Sequence, residues 1–381
     1  MPISRTLRRA LLSAAVPTAL LLAPAGLAQA REQWTPEVAN AWYDRQAWMA
    51  GANYLPRTAI NELEMWQAAT FDPKTIDEEF GWAEGLGFTT MRVFLHNLPW
   101  EQDQAGFIAR IERVLALADK HHLRLMLVIF DSCWDPKPHL GTQREPLPHT
   151  HNSGWVQAPG ADIVGDPAVW DARLKDYVTG VIGHFRDDRR VLLWDLFNEL
   201  DNKFGPPPFD KDDLPNKKEL SLKLAERTRA WALSAEPSQP VTCCIWMDLA
   251  REFDKQEPWQ KFQLTASDVI TFHSYDPLDA LKPGIARLRS HGRPLICTEY
   301  MARPRGSTFA AIMPYFKDEK IAAVNWGFVD GKSQTKYPWD SWKEKYTAEP
   351  ALWFHDILHA DGTAYDAQEV GLIRGLTGAK P

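Results

Sequence analysis

A (β/α)8 barrel, the TIM-barrel form of the α/β class, is the fold this sequence predicts, and three observations predict it. Short apolar runs alternate with amphipathic stretches eight times along the chain. The runs are apolar almost without interruption, as strands are when helices cover both faces of a parallel sheet. The 381 residues suit one such barrel with long loops. A doubly wound open sheet is the runner-up, but it calls for a glycine-rich phosphate loop after an early strand, and the sequence has none.

The first thirty residues stand apart. Arg5, Arg8 and Arg9 form a basic start, an apolar stretch follows, and Ala28-Gln29-Ala30 fits a small-residue cleavage site. The pattern is that of an export signal cut after Ala30, which places the mature protein in the periplasm or outside the cell. Pro17 and Pro24 interrupt the apolar stretch, which is short for a retained membrane anchor. The pair Arg8-Arg9 alone does not decide between the general and the twin-arginine route. Without these three arginines the formal charge falls from −7 to −10, which argues against nucleic acid or anionic membrane as a partner. Residues 31–381 read as a single catalytic domain, with no linker or repeat.

Strands are expected at 48–54, 90–95, 124–130, 191–197, 241–246, 269–273, 295–298 and 322–328. Helices are expected at 75–86, 105–121, 168–184, 217–234, 277–290, 307–316 and 348–359. The segment 251–260 is ambiguous. Asp166-Pro167 reads as a helix cap followed by proline at the first helical position, and Gly85 and Gly87 as a helix end. Trp66, Trp82 and Trp231 read as helix-packing residues. Cys133, Cys243, Cys244 and Cys297 lie in apolar runs and read as buried thiols without zinc spacing, with the adjacent Cys243 and Cys244 pointing to opposite sheet faces.

In such a barrel chemistry sits at the C-terminal ends of the strands. The fourth run reads Leu192-Leu193-Trp194-Asp195-Leu196-Phe197-Asn198-Glu199, and the seventh Leu295-Ile296-Cys297-Thr298-Glu299. Each ends in a glutamate, and two strand ends of one barrel can face each other across its mouth. A lone glutamate after a strand is usually a solvated loop residue. Two on separate strand ends match what cleavage of a glycosidic bond requires, one carboxyl to protonate the leaving oxygen and one on the other face of the sugar. Arg92 lies inside the second run and needs a carboxylate partner there: Asp195 for a structural pair, Glu299 for a catalytic one, or both. His273 and Tyr275 end the sixth run, where a histidine is more often a core group. Here Tyr275 can donate to the nucleophile and His273 can hold the acid/base or the sugar. Trp326 in the eighth run is either barrel core or a stacking floor for a sugar ring, and seventeen tryptophans supply many flat apolar faces.

The ordered set Arg92, Asn198-Glu199, His273-x-Tyr275, Glu299 and Trp326 resembles glycoside hydrolase family 5, over about residues 45–345. The resemblance implies a retaining mechanism with Glu199 as acid/base and Glu299 as nucleophile. It implies Asn198 as the contact to the sugar 2-hydroxyl, Arg92 and Tyr275 as supports of Glu299, and Trp326 in the subsite for the non-reducing sugar. Many members carry a histidine at the end of the third strand, where this chain has Asp131, with Trp134 just beyond; both are taken as substrate contacts. No cofactor or metal is implied. For Glu199 the negative Glu299 is expected to raise the pKa, and for Glu299 Arg92 is expected to lower it.

The loop at 131–166 is long, carries Trp134, Trp155, Pro136, Pro138, Pro146 and Pro148, and reads as functional. His149-x-His151 lacks a third metal ligand and reads as solvated or substrate-facing. Gly205-Pro206-Pro207-Pro208 and the loop from Gly331 to Trp342 add rigid and aromatic material. Loops of this kind predict a pocket for chain ends or short oligosaccharides, β-mannosides first. An open cleft with endo-β-1,4-glucanase, mannanase or xylanase action is the alternative, a transglycosidase would share every residue, and a non-catalytic carbohydrate-binding barrel would lack one carboxyl. A metal-dependent barrel hydrolase needs strand-end ligands that Gly51-Ala52-Asn53-Tyr54 does not offer.

Overall fold

The computed structural model describes residue 1, residues 31–203 and residues 206–379; the expected export signal and Gly205 lie outside them. Eight strands run in parallel: β1 Ala50–Tyr54, β2 Thr90–Phe94, β3 Arg124–Asp131, β4 Val191–Asn198, β5 Val241–Thr242, β6 Ile270–His273, β7 Leu295–Glu299 and β8 Ala322–Asn325. Their order is β5-β4-β3-β2-β1-β8-β7-β6. The ring closes where Ile245, just past β5, bridges to Phe272 of β6, with the Ile245 N–H donating to Thr271 and the His273 N–H donating back to Ile245. The fold is therefore a (β/α)8 barrel.

Each strand is followed by a main outer helix: Pro73–Gly85, Gln104–Lys120, Lys175–His184, Lys217–Ser234, Pro258–Thr265, Leu278–Arg289, Phe309–Asp318 and Ala367–Thr377. Several starts are fixed by side-chain caps. Asp72 accepts from Thr75 N ahead of Pro73, and at the end of the ambiguous segment, after a short 3-10 turn at Phe253–Lys255, Glu257 and Gln260 form a reciprocal capping box that starts the fifth of these helices.

The structure corrects the sequence reading in several places. The stretch 348–359 is not helical. Its backbone N–H groups instead donate to the loop after β8, from Phe354 to Lys336 O and from Ile357 and Leu358 to Phe328 O, while Trp353 stacks on Tyr365 at 4.5 Å and 12°. The eighth helix is Ala367–Thr377, capped by Asp366. An unforeseen helix, Pro36–Asp44, plugs the bottom of the barrel, where Ala39 and Trp42 pack on Met49, Met126, Leu193 and Ile296. The helix expected from 168 breaks at Leu174 into Trp170–Arg173 and Lys175–His184, and Asp166 caps only the preceding turn, through Ala168 N. Strand β5 stops at Thr242 because the next N–H, that of Cys243, donates to Ser267 Oγ instead of to a neighbouring strand. Strict alternation ends with it, so Cys243 and Cys244 do not face opposite ways: both sulfurs point at Phe197 O, at 3.4 and 3.9 Å. All four cysteines are buried and free. Among the described residues no helix is long and apolar enough to cross a membrane.

Candidate active site

Parallel pairing assembles the site at the C-terminal ends of the strands. The register sets Asn53 beside Arg92, Asp131 beside Asn198 and His273 beside Glu299. Arg92 is the hub. Fully buried, it needs a partner for every N–H, because an unpaired buried charge costs several kcal/mol. Its Nε and Nη2 donate to Asp195 Oδ2 at 3.1 and 2.8 Å, Nη2 also to Asn198 Oδ1 at 2.7 Å, and Nη1 to Asn53 Oδ1 at 2.8 Å and Glu299 Oε1 at 3.0 Å. The two pairings open from the sequence, Asp195 and Glu299, are thus both made. Asn53 completes the set; a lone amide inside an apolar strand was its only sequence signal.

Glu299 is 5% exposed and its second oxygen, Oε2, accepts from the Tyr275 hydroxyl at 2.7 Å. Glu199 is 8% exposed and held at a left-handed φ of 43°, a conformation that costs a non-glycine residue about 1 kcal/mol and turns it out of the strand direction. Its Oε1 lies 2.9 Å from His273 Nδ1 and its Oε2 accepts from Asn202 Nδ2 at 2.7 Å. Cys133 Sγ lies 3.6 Å from Oε2. His273 stands between the carboxyls, with the same Nδ1 3.5 Å from Glu299 Oε2. One oxygen of Glu199, one of Glu299 and a ring nitrogen of His273 all fall within 4.8 Å of one another. That trio has the donor types of a metal site. Its carboxyls already receive Arg92, Tyr275 and Asn202 as donors, a set suited to hydrogen-bonded carboxyls more than to a cation.

Burial pushes the Glu199 carboxyl up to about 7, with the nearby Asp201 charge adding to the rise and the Asn202 hydrogen bond opposing it. The expected cause was the Glu299 charge; removal from water is the larger one. Glu299 also moves up, again by burial and further by the nearby Glu199 charge, against the pull of Arg92 and the Tyr275 hydrogen bond. The expectation that Arg92 leaves it below its ordinary value is therefore corrected: Arg92 limits the rise. Burial holds His273 down at about 4, hence neutral.

These groups open into a cavity of about 600 Å³ lined by Trp134, Trp155, Trp246, Trp326, Trp339 and Trp342. Trp326 follows β8 and packs edge-on against Phe94 and Trp155, at 5.9 and 5.8 Å. The chain must turn sharply behind it. Gly327 has φ 79°, and a Cβ there would stand 2.6 Å from that of His355, so only glycine fits. Asp131 lines the same cavity but spends its oxygens on the wall: it accepts from Asn198 Nδ2 at 2.9 Å, Cys133 N at 3.1 Å and Trp155 Nε1, with burial raising it to about 6. Trp246 is fixed by its Nε1 donating to Asp201 at 2.8 Å.

The rim joins two loops. In the loop after β3, Asn152 N donates to Ser333 O at 2.8 Å, His149 N to Gln334 Oε1 at 2.7 Å and His151 N to Ser341 Oγ at 3.0 Å; Gln334 Nε2 donates back to Leu147 O at 2.9 Å. Of the two expectations for His151, solvated or substrate-facing, the first is not met, and the residue lines the cavity. It is buried, its Nδ1 meets Tyr337 O at 2.8 Å, and burial lowers it to about 4. His149 Nδ1 meets the Tyr337 hydroxyl at 2.6 Å. Asn202, Cys133 and Trp246 had no signal in the sequence, because each enters the site from an irregular segment past a strand end.

No protein-family profile matches the chain, and no curated protein matches it. Solved structures do. A GH5_18 protein from Streptomyces cattleya, in complex with GlcNAc, matches with a TM-score of 0.55 at 14% identity, over 88% of this chain and 82% of that one. The exo-β-1,4-mannosidase Op5Man5 from Opitutaceae bacterium strain TAV5 matches at 0.57 and 19%, over 87% of this chain and 60% of that one. An endo-β-1,4-mannanase from Thermotoga petrophila matches at 0.54 and 14%, over 88% and 77%. At these identities the likeness is one of fold, and the barrel expected from the resemblance to glycoside hydrolase family 5 is the barrel these proteins share.

Proposed function

We propose that the protein is a retaining β-glycoside hydrolase acting on β-mannosides, with Glu199 as acid/base and Glu299 as nucleophile. The observation that carries this is the approach of the two carboxyls, on the ends of β4 and β7, to within 4.8 Å at the floor of a tryptophan-lined cavity. Carboxyls of retaining enzymes stand ~5–5.5 Å apart, those of inverting enzymes ~6.5–9.5 Å, the larger gap leaving room for a water. Glu299, beside Arg92 and Tyr275, is the carboxyl whose ionised form is supported. Glu199, up to about 7, is the one that holds a proton near neutrality. In the first step Glu299 attacks the anomeric carbon while Glu199 passes its proton to the departing oxygen. In the second, Glu199 takes a proton from water as that water attacks the glycosyl ester on Glu299.

Asn198 fits a sugar 2-hydroxyl: Arg92 fixes its oxygen, Asp131 takes one amide hydrogen, and the other is left for substrate. Trp326 offers the stacking floor, and Trp134 a wall. The names of the exo-mannosidase, the endo-mannanase and a GH5_18 variant from Bifidobacterium longum in complex with Manb1-4GlcNAc support mannosides as the substrate class. The bonded rim supports a pocket for chain ends and short oligosaccharides. Its working place, in this reading, is outside the cytoplasm, after export on residues 1–30.

The test uses an aryl β-mannoside with the single variants. Glu299→Ala loses turnover and, with azide, regains it as the α-glycosyl azide. Glu199→Ala with azide gives the β-azide instead. Glu199→Gln slows poor leaving groups by about 10²–10⁴-fold and activated ones much less. Unchanged activity in either single variant overturns the assignment, and random internal cutting of mannan overturns the pocket.

A further inference from the structure

Glu199 is gripped on one oxygen by a pair of side chains the mechanism above does not use. Asn202 lies three residues on, and its backbone N–H donates to Glu199 O at 2.7 Å. That turn brings the Asn202 side chain back over the carboxyl, where Nδ2 meets Oε2 at 2.7 Å and Cys133 Sγ at 3.2 Å. The thiol in turn stands 3.6 Å from Oε2. The other oxygen, Oε1, faces His273 Nδ1. All three partners are buried.

We propose that Asn202 is a positioning residue for Glu199: with the Cys133 thiol beside it, its amide keeps Oε2 as the accepting oxygen and assigns the transferable proton to Oε1. The inference rests on Glu199 being the acid/base. An amide N–H donates well to a carbonyl or carboxylate oxygen and poorly to a protonated one, so the proton of a neutral Glu199 belongs on the oxygen without the amide. The same hydrogen bond favours the ionised form, and so opposes the alkaline drift that burial imposes. Other groups around this carboxyl come from every wall: Arg92 from β2, Asp131 from β3, Asp201 past β4, His273 and Tyr275 at β6, and Glu299 on β7, while the Cys244 thiol past β5 meets the Glu199 backbone N–H and not its carboxyl. They set its general field, whereas the contact to Oε2 is the work of Asn202 and Cys133.

The experiment is the pH dependence of kcat/KM on an aryl β-mannoside for wild type, Asn202→Leu and Cys133→Ser, each checked for folding by circular dichroism. Asn202→Leu removes the donor at similar size; its alkaline limb is expected to move up by about half to one pH unit, with KM held and kcat down about 10-fold on a poor leaving group. Cys133→Ser replaces a weak donor with a stronger one at the same oxygen, and its alkaline limb is expected to move down by a few tenths of a unit, roughly. A merely structural loss lowers activity without moving the limb, and cannot move it in opposite directions in two variants. An Asn202→Leu limb at the wild-type position overturns the inference. Should that variant not fold, Cys133→Ser decides, an unmoved or raised limb overturning it. Failure of the underlying assignment shows separately, as Glu199→Gln keeping full activity on poor leaving groups.

Discussion

The floor of the cavity and its rim are built on opposite principles. On the floor, Arg92 sits in a strand with no access to water, and its donors reach β1, β4 and β7 in one closed set. On the rim, the loop after β3 and the loop after β8 are joined by single bonds among backbone and neutral side chains, several of them part-exposed. The floor cannot lose Arg92 without leaving charges buried and unpaired, whereas the rim loses one bond at a time. Chemistry that needs fixed distances is therefore placed where the cost of disorder is large, and shape that sets access is placed where it is small.

The sharpest way to break the contrast is Arg92→Leu. It strands Asp195 and Glu299 as unpaired acids in the barrel, and is expected to destabilise by about 3–5 kcal/mol and to abolish turnover. Urea unfolding checks it; a loss below about 1 kcal/mol would mean that water reaches the hub and that the floor is no stiffer than the rim.

Next in size is the energetic cost of keeping Glu199 out of water. Its carboxyl titrates at about 7 in the fold against an ordinary 4.5. Below pH 4.5 both folded and unfolded chains hold the proton. Between these values only the unfolded chain releases it, so stability falls as pH rises, and above about 7 the loss is complete. Glu199→Gln never ionises there and is expected to be more stable than wild type by up to about 3 kcal/mol at pH 8 and by nothing at pH 4. His273 and His151, both lowered to about 4, oppose this slope, since their stability is lost as pH falls from 6.5; His151 cancels in the difference, whereas His273, in contact with Glu199, confines the clean comparison to pH above 6.5. Parallel melting curves for the two proteins at several pH values decide it; a difference that does not vary with pH would place Glu199 in contact with solvent.

The same contrast explains what the sequence reveals. Arg92, Asp195, Glu199 and Glu299 stand out because charges inside apolar strands must meet, and a barrel leaves few places to meet. The strand ends that carry Asn198, His273 and Tyr275 follow by the same logic. Segments that are not periodic carry no such constraint. The stretch 348–359 has helical spacing of apolar residues, yet three of its N–H groups are claimed by Phe328 and Lys336, well outside the reach of a helical turn. His151 reads as solvated or substrate-facing, and burial against Tyr337 excludes the first and leaves it in the cavity wall. Asp131 occupies a place where a substrate contact was expected, and its oxygens go first to Asn198 and Trp155.

The smallest effect is the most informative about access. Gln334 sits at φ 55°, a left-handed conformation that costs about 1 kcal/mol for any residue but glycine. It is held there by two bonds of its own side chain, to His149 N and Leu147 O. Gln334→Ala keeps the strain and loses both bonds, for an expected loss of about 1–2 kcal/mol. Gln334→Gly loses the same bonds but relieves the strain, so its stability should stay within about 1 kcal/mol of wild type. Both variants open the seam between the two loops, and both are expected to raise activity on mannan relative to a mannotriose substrate. If rim and floor were one rigid body, the two variants would differ in stability and also in turnover on the trisaccharide; equal trisaccharide turnover with a raised polymer ratio shows that the rim governs entry alone.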